Sequence, residues 1–320
     1  MASYLITGGC GFIGTHLSQH LLALGHRVRI IDNLCDQQTH TLGAAVDFIQ
    51  GDCRSQLLLD EYLQGVEGVF HLAATPYPGA EQSDWLAAHQ MNLGTTVALI
   101  EALRRHAGQR KIRLVYASSA EVYGGQHSHP LQEHTLPCPE SAYGTDKLCG
   151  ELQIRAASRQ FGLPCSMLRL FNVYGASHNL ARPTEDVIAC FVRNLLAGQP
   201  LSIEGDGEQT RDFVFIDDAV RMLTAAMHSA STAAPVINLC SGVSYSINQV
   251  VSQLLRVSGQ LSELLRAPAR LGQIRQSVGD PQKAWQLLGL RATTELAEGL
   301  RQTYQHAAAL APQSQQSNWA

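Results

Sequence analysis

The stretch Gly8-Gly9-Cys10-Gly11-Phe12-Ile13-Gly14 follows the apolar run Tyr4-Leu5-Ile6 and leads into Thr15–Leu24, where apolar residues recur at helical spacing. Strand, tight glycine turn and helix in direct succession is the geometry that sets a pyrophosphate on a helix N-terminus. Gly8 lets the chain turn, Gly11 lets the backbone reach phosphate, and Gly14 lets the helix lie close to the strand. Glycines serve many turns, and it is the strand before and the helix after that make this one a nucleotide site. The next strand, Arg27-Val28-Arg29-Ile30-Ile31, ends in Asp32. A carboxylate there accepts hydrogen bonds from an adenosine 2′,3′-diol and repels a 2′-phosphate, which favours NAD over NADP. Alone, Asp32 would read as a turn or cap acid.

Apolar strand segments alternate with helical segments along the first half, at 3–7, 27–31, 46–50, 68–72, 112–117 and 164–170. This pattern predicts an α/β fold, a Rossmann-type doubly wound parallel sheet. Leu93–His106 is one of the intervening helical segments, and Gly25 ends the first helix. From about residue 172 the character changes, with Pro183, Gly198, Pro200, Gly205 and Gly207 cutting the chain into short elements. Residues 1–171 are therefore expected to form the nucleotide domain, and 172–310 a smaller C-terminal substrate-binding lobe over the strand ends. Arg211–Ile216 reads as a strand returning to the main sheet, and 311–320 as a disordered polar tail.

The 320 residues carry 45% hydrophobic and 16% charged side chains with a net charge of −4, a composition that favours neither nucleic acid nor disorder. No basic stripe, zinc-type spacing or membrane-length apolar run is present, so no nucleic-acid, metal or membrane partner is expected. Eight scattered cysteines and a strand beginning at the first residues point to reduced thiols in the cytoplasm, without a signal peptide.

Tyr143-Gly144-Thr145-Asp146-Lys147 follows a loop containing Pro130, Pro137 and Pro139 and opens a helix, so Tyr143 and Lys147 share one face a turn apart. An ammonium beside a phenol stabilises the phenolate, which lets the tyrosine take a proton nearer neutral pH. Upstream, Leu114-Val115-Tyr116-Ala117-Ser118-Ser119 is a buried strand ending in hydroxyls, with Ser119 placed to hold a substrate oxygen. Singly these would be a surface pair and a loop cap. Together with the glycine loop and Asp32 they make a redox-active site.

On these residues the chain resembles the extended short-chain dehydrogenase/reductases, in their NAD-dependent nucleotide-sugar epimerase/dehydratase branch. Further markers are Gly51-Asp52, His71-Leu72-Ala73-Ala74, Asn92, Ser118-Ser119-Ala120-Glu121-Val122-Tyr123-Gly124, Arg169-Leu170-Phe171-Asn172-Val173-Tyr174-Gly175, Gly205-Asp206-Gly207 with Arg211-Asp212-Phe213, and Ile274-Arg275. The resemblance implies a retained NAD held by Gly8, Gly11, Phe12, Ile13, Gly14, Asp32, Asn33, Asp52, Cys53, Leu72, Ala73, Ala74, Tyr143 and Lys147. It implies that Tyr143 deprotonates the sugar 4-hydroxyl and Ser119 holds its oxygen. Lys147 would bind the nicotinamide ribose while lowering the tyrosine pKa. Asn172 and Arg211 are implied at the diphosphate of a UDP-sugar, with Arg275 and Asp280 near the phosphate and nucleotide ribose. Guanidinium forks match phosphate oxygens. The family also implies a homodimer through the helices following Asn92 and beginning at Tyr143, with Leu93, Val97, Ile100 and Leu103 as a stripe equally suited to the sheet.

A 4-epimerase needs only Ser119, Tyr143 and Lys147 beside NAD. A 4,6-dehydratase usually adds an Asp-Glu pair, and here those positions are Ala120 and Glu121. Glu121 therefore keeps open a 5,6-dehydratase and a UDP-glucuronate decarboxylase, or it bonds backbone in the turn that follows. Ser277 matches the family's size gate: a small residue there leaves volume for an acetamido group, so UDP-GlcNAc/GalNAc fits alongside UDP-Glc/Gal. Leu271 and Gly279 depart from the expected Pro and Ala. A catalytically silent NAD-binding regulator would need none of the three site residues, and a net NADPH reductase would be opposed by Asp32.

Overall fold

The apolar runs of the first half become parallel strands. The computed structural model describes residues 1–34, 45–75, 85–108, 111–126, 128–176, 186–269 and 274–310. The tail expected at 311–320, with Leu271, Cys35 and Pro183, lies outside them. The strands are β1 (Ser3–Thr7), β2 (Arg27–Asp32), β3 (Val46–Gln50), β4 (Gly68–His71), β5 (Arg113–Ser119) and β6 (Cys165–Leu170). Between them lie α1 (Phe12–Ala23), α2 (Gln56–Tyr62), α3 (Trp85–His89), α4 (Thr95–His106) and α5 (Ala142–Phe161). Then come β7 (Asn172–Tyr174), α6 (Val187–Leu196), β8 (Leu201–Glu204), β9 (Thr210–Phe215), α7 (Ile216–Ser229) and β10 (Val236–Leu239). The chain closes with β11 (Ser244–Ser246), α8 (Ile247–Ser258), β12 (Leu264–Ala267), β13 (Gln276–Ser277), α9 (Gln282–Leu288) and α10 (Leu296–Leu310).

The main sheet has seven parallel strands in the order β10-β6-β5-β4-β1-β2-β3. Its order reverses between β1 and β4, which opens a crevice at their C-terminal ends. Alternation within strands divides the core between the two faces. Tyr4, Ile6, Val28, Ile30, Phe70, Val115 and Leu168 share one apolar cluster with α1 and α7. Leu5, Ile31, Val69, Leu114, Tyr116 and Met167 share the other with α2, α4 and α5. Two covered faces explain why these strands read as near-continuous apolar runs.

The returning strand is β10, and the segment expected to return, at 211–216, forms β9 of the lobe. Val236-Ile237-Asn238-Leu239 is wholly buried and pairs with β6 after α7 crosses back against α1. β9 instead lies in a small sheet between β11 and β13 and also pairs with β7. Its neighbours come from three distant parts of the chain, so only tertiary contacts choose them. The seven-stranded sheet and its covering helices thus take in α7 and β10 as well as elements up to residue 170.

Candidate active site

Gly8 and Gly14 have no room for a side chain. Gly8 has φ +72°, and a Cβ there would stand 2.7 Å from the backbone of Ala73. A Cβ on Gly14 would meet Gly8 O and Gly9 Cα at 2.6 Å. Gly11 is the N-cap of α1, which has neither a side-chain cap nor an acid in its first turn. The N–H groups leading into Phe12, Ile13 and Gly14 therefore suit an anion, without competition from the helix's own side chains. Asp32 is fixed beside the loop, its Oδ2 accepting from Cys10 N (2.9 Å) and its Oδ1 from Leu34 N (2.8 Å). Burial, and then the Asp32 charge, push the Cys10 thiol up to about 12.

Beyond β4, Leu72, Ala73 and Ala74 run along the crevice to Thr75, whose N–H donates to Asn92 Oδ1 at 2.8 Å. Asn92 sits in a π-helical turn, Gln90–Gly94, and its buried Nδ2 has no hydrogen-bond partner. A glycine cradle, a ribose acid and an unspent buried amide donor fit a dinucleotide. Asn92 was visible in the sequence only as a family marker. Its signal is a poor helix former inside a helical segment. Asn33 lies next to Asp32, with Nδ2 at 4.0 Å from Met91 Sδ. Asp52 is committed to Arg54, which donates to it through Nε and a terminal nitrogen at 2.6–3.1 Å, and Cys53 is buried behind it.

Ser119 ends β5, and its Oγ accepts from Glu121 N at 3.1 Å, starting a short turn. The exposed Glu121 carboxylate accepts from Ser141 Oγ at 2.6 Å. Ser141 is in turn the N-cap of α5, accepting from Gly144 N at 2.9 Å. Glu121 thus bonds to a helix cap, where the sequence suggested backbone in its own turn. Tyr143, half-buried in the first turn of α5, stands with its ring centre 5.5 Å from Lys147 Nζ. The Lys147 ammonium is buried, donates to Ala117 O at 2.8 Å and lies 5.1 Å from the Tyr116 ring centre.

Burial holds Lys147 down to about 8, against the opposing pull of Asp146 and Glu121. The expected lowering at Tyr143 is not what this geometry gives: burial first, and Glu121 second, push its hydroxyl above the usual range. The ammonium is spent on a carbonyl and on ring faces, so it does little to offset desolvation. His71 is also enclosed, 2.6 Å from Thr7 Oγ1 and 3.0 Å from Thr96 Oγ1, and burial followed by the Lys147 charge hold it down to about 3.

In the lobe, β9 sets Arg211 opposite Ser277 of β13 and Phe213 opposite Asn172 of β7. Ser277 is buried, Asn172 is exposed, and Arg211 is partly buried within reach of the Glu121 charge. The side chains of Arg275 and Asp280 are engaged with other partners. Arg275 is exposed in a forked pair with Asp206 (2.7 and 2.8 Å), and Asp280 accepts from Gln132 Nε2 (2.8 Å) and Gln282 N (2.9 Å). Among the described residues no cluster of three or more His, Cys, Asp or Glu could hold a metal, and none of seven cysteines is in a disulfide. No helix among them is long and apolar enough to cross a membrane.

A glycine cradle at the switch point, with a hydroxyl, a phenol and an ammonium near the end of β5, fits an enzyme that uses a nicotinamide dinucleotide. The chain belongs to the NAD dependent epimerase/dehydratase family, whose model matches residues 4–240. It is 33% identical over 311 residues to a UDP-glucose 4-epimerase of Mycolicibacterium smegmatis, covering 93% of this chain and 96% of that one. The UDP-glucose 4-epimerase of Thermotoga maritima, solved with UDP-glucose, superposes with a TM-score of 0.90 at 30% identity, over 96% of this chain and 99% of that one. A UDP-N-acetylglucosamine 4-epimerase of Methanobrevibacter ruminantium, solved with UDP-N-acetylmuramic acid, gives 0.89 at 28% identity, over 97% and 99%.

Proposed function

We propose that this protein is a UDP-sugar 4-epimerase acting on UDP-glucose/galactose and UDP-GlcNAc/GalNAc through a transient 4-keto sugar. The observation that carries this is the convergence of Ser119, Tyr143 and Lys147 on one end of β5, with Lys147 bonded two residues before Ser119. When bound, NAD supplies a hydride acceptor and donor for sugar C4. The glycine loop, Asp32 and Asn92 would hold it. Tyr143 Oη takes the proton of the 4-hydroxyl and gives it back, Ser119 Oγ holds that oxygen, and charged Lys147 stabilises the phenolate. Asn172 and Arg211 face the diphosphate. Arg275 and Asp280 would need to leave their present partners to reach the nucleotide. Exposed Trp85, Leu86, Val97 and Leu152 on α3, α4 and α5, where α5 packs on both of the others, support a homodimer, and the absence of disulfides among the described cysteines suits the cytoplasm.

A second reading has Glu121 acting as a base on the sugar, in dehydration or decarboxylation. It is favoured by the reach of the Glu121 charge to Tyr143, Lys147 and Arg211. Proton NMR of products from UDP-Glc, UDP-GlcNAc and UDP-GlcA in deuterated buffer separates the two. A 4-epimer without deuterium at C5 is expected. Deuterium at C5, or loss of water or carbon dioxide, would establish the second reading.

Two substitutions extend the test. Ser277→Tyr fills space beside Arg211, so turnover of UDP-GlcNAc should fall by at least about tenfold, in line with overpacking costs of about 1–3 kcal/mol, while UDP-Glc is spared. Equal losses on both sugars would remove Ser277 from substrate selection. Asp32→Ala deletes a charged acceptor and the brace on Cys10 N, so the NAD-to-NADP affinity ratio measured by calorimetry should drop about 10- to 100-fold. An unchanged ratio would place the ribose elsewhere.

A further inference from the structure

Asp146 lies between the two site residues of α5 and is buried, at 5% exposure. Its Oδ1 is 2.7 Å from Nδ1 of His89, the last residue of α3, whose side chain is half-exposed. Its Oδ2 is buried with no hydrogen-bond partner. A buried carboxylate with an open oxygen is costly unless its charge serves something nearby. The adjacent residue is Lys147, an ammonium at 2% exposure held by a neutral carbonyl and two neutral ring faces.

We infer that Asp146, oriented by His89, is a positioning residue of the site: its buried carboxylate is the counter-charge that keeps the Lys147 ammonium protonated while it works. The inference rests on the role given to Lys147 above. Tyr143 from α5 and Tyr116 from β5 present their rings to that ammonium, and the groups whose charges reach it are Asp146 from α5, His71 from β4 and Glu121 from the turn after β5, with His89 acting through Asp146. His71 stays neutral, because burial holds its pKa near 3. Tyr116 and Tyr143 stay neutral too, both raised by burial. That leaves Asp146 and Glu121 as the two anions, and of these Glu121 is the exposed and better screened one. Lys147 without its counter-charge would lose its proton nearer neutrality, and the phenolate would lose its support.

The test is Asp146→Asn, which keeps shape and removes charge, read by carbon NMR titration of lysine Cε with Lys147→Arg to assign the signal. The midpoint, near 8 in the parent protein, should fall by about one unit. The bend at which the kcat/KM–pH profile levels off should move with it, giving about a tenfold loss above that bend and about a twofold loss at neutral pH. Asp146→Ser should give the same shift and serves if the Asn protein does not fold. His89→Gln, which keeps a donor to the carboxylate, should leave the midpoint near its parent value. An unmoved midpoint in a folded, charge-neutral variant would overturn the inference. If Lys147→Met leaves turnover intact, it is the role of Lys147 that fails, and the two failures are thereby told apart.

Discussion

Tyr143→Phe is expected to lower kcat by about 10²–10⁴, the usual worth of a positioned general acid–base, with the fold and NAD content unchanged. The substitution removes one oxygen and leaves the ring over Lys147. The cap of α5 is made by Ser141, not by Tyr143, so the helix start is untouched. Burial and the Glu121 charge favour the neutral phenol, so the hydroxyl releases its proton only with help from Lys147, whose charge persists up to about pH 8. Activity in the parent should therefore rise with pH as more of the phenol ionises and level off above about 8, where the gain in phenolate is offset by loss of the Lys147 charge. In Tyr143→Phe the rising limb should disappear with the rate. A coupled assay on UDP-glucose, with circular dichroism and cofactor absorbance as controls, measures all three. A variant within about tenfold of the parent would shift proton transfer to another group, with Glu121 the nearest candidate.

Much of this was legible because it is local. The glycine loop, Asp32 and the Tyr143–Lys147 spacing each depend on a few consecutive residues, and a doubly wound sheet needs only alternation with apolar runs. What depended on distant partners was not. The small sheet of β7, β9, β11 and β13 joins residues near 172, 211, 245 and 277, so the apolar pattern of β9 said strand without saying which sheet. The short run at 236–239 takes the place beside β6 because it is buried on both faces, a property no period-two pattern displays. The same holds in the site. Nothing local links Glu121 to Ser141 or Asp146 to His89, and the direction of the Tyr143 shift depends on burial, which only the fold supplies.

Beneath the site, Glu151→Leu is expected to cost about 3–5 kcal/mol of stability, because it leaves a buried guanidinium unpaired. Glu151 and Arg169 are 1% and 3% exposed. Glu151 Oε1 accepts from Arg169 Nε at 2.9 Å and from Ser118 Oγ at 2.5 Å, and Oε2 accepts from a terminal Arg169 nitrogen at 2.8 Å. The fork ties α5 to β6 and β5, one helical turn beyond Lys147, and the guanidinium also stacks 4.6 Å from the Tyr123 ring centre. Removing both charges should hurt less than removing one, since buried pairs gain little over apolar replacements of similar size. Glu151→Leu with Arg169→Met should thus recover a large part of the loss in the denaturant midpoint, although Ser118 still loses its acceptor. If the double variant is as unstable as the single one, the stacking of Arg169 on Tyr123 matters more than its pairing. Neither residue touches Ser119, Tyr143 or Lys147 through the hydrogen bonds described, so turnover per folded molecule should stay within a few-fold of the parent. A collapse of turnover in a protein that remains folded would mean that this fork, by fixing the strand end at Ser118, also fixes the hydroxyl of Ser119 beside it.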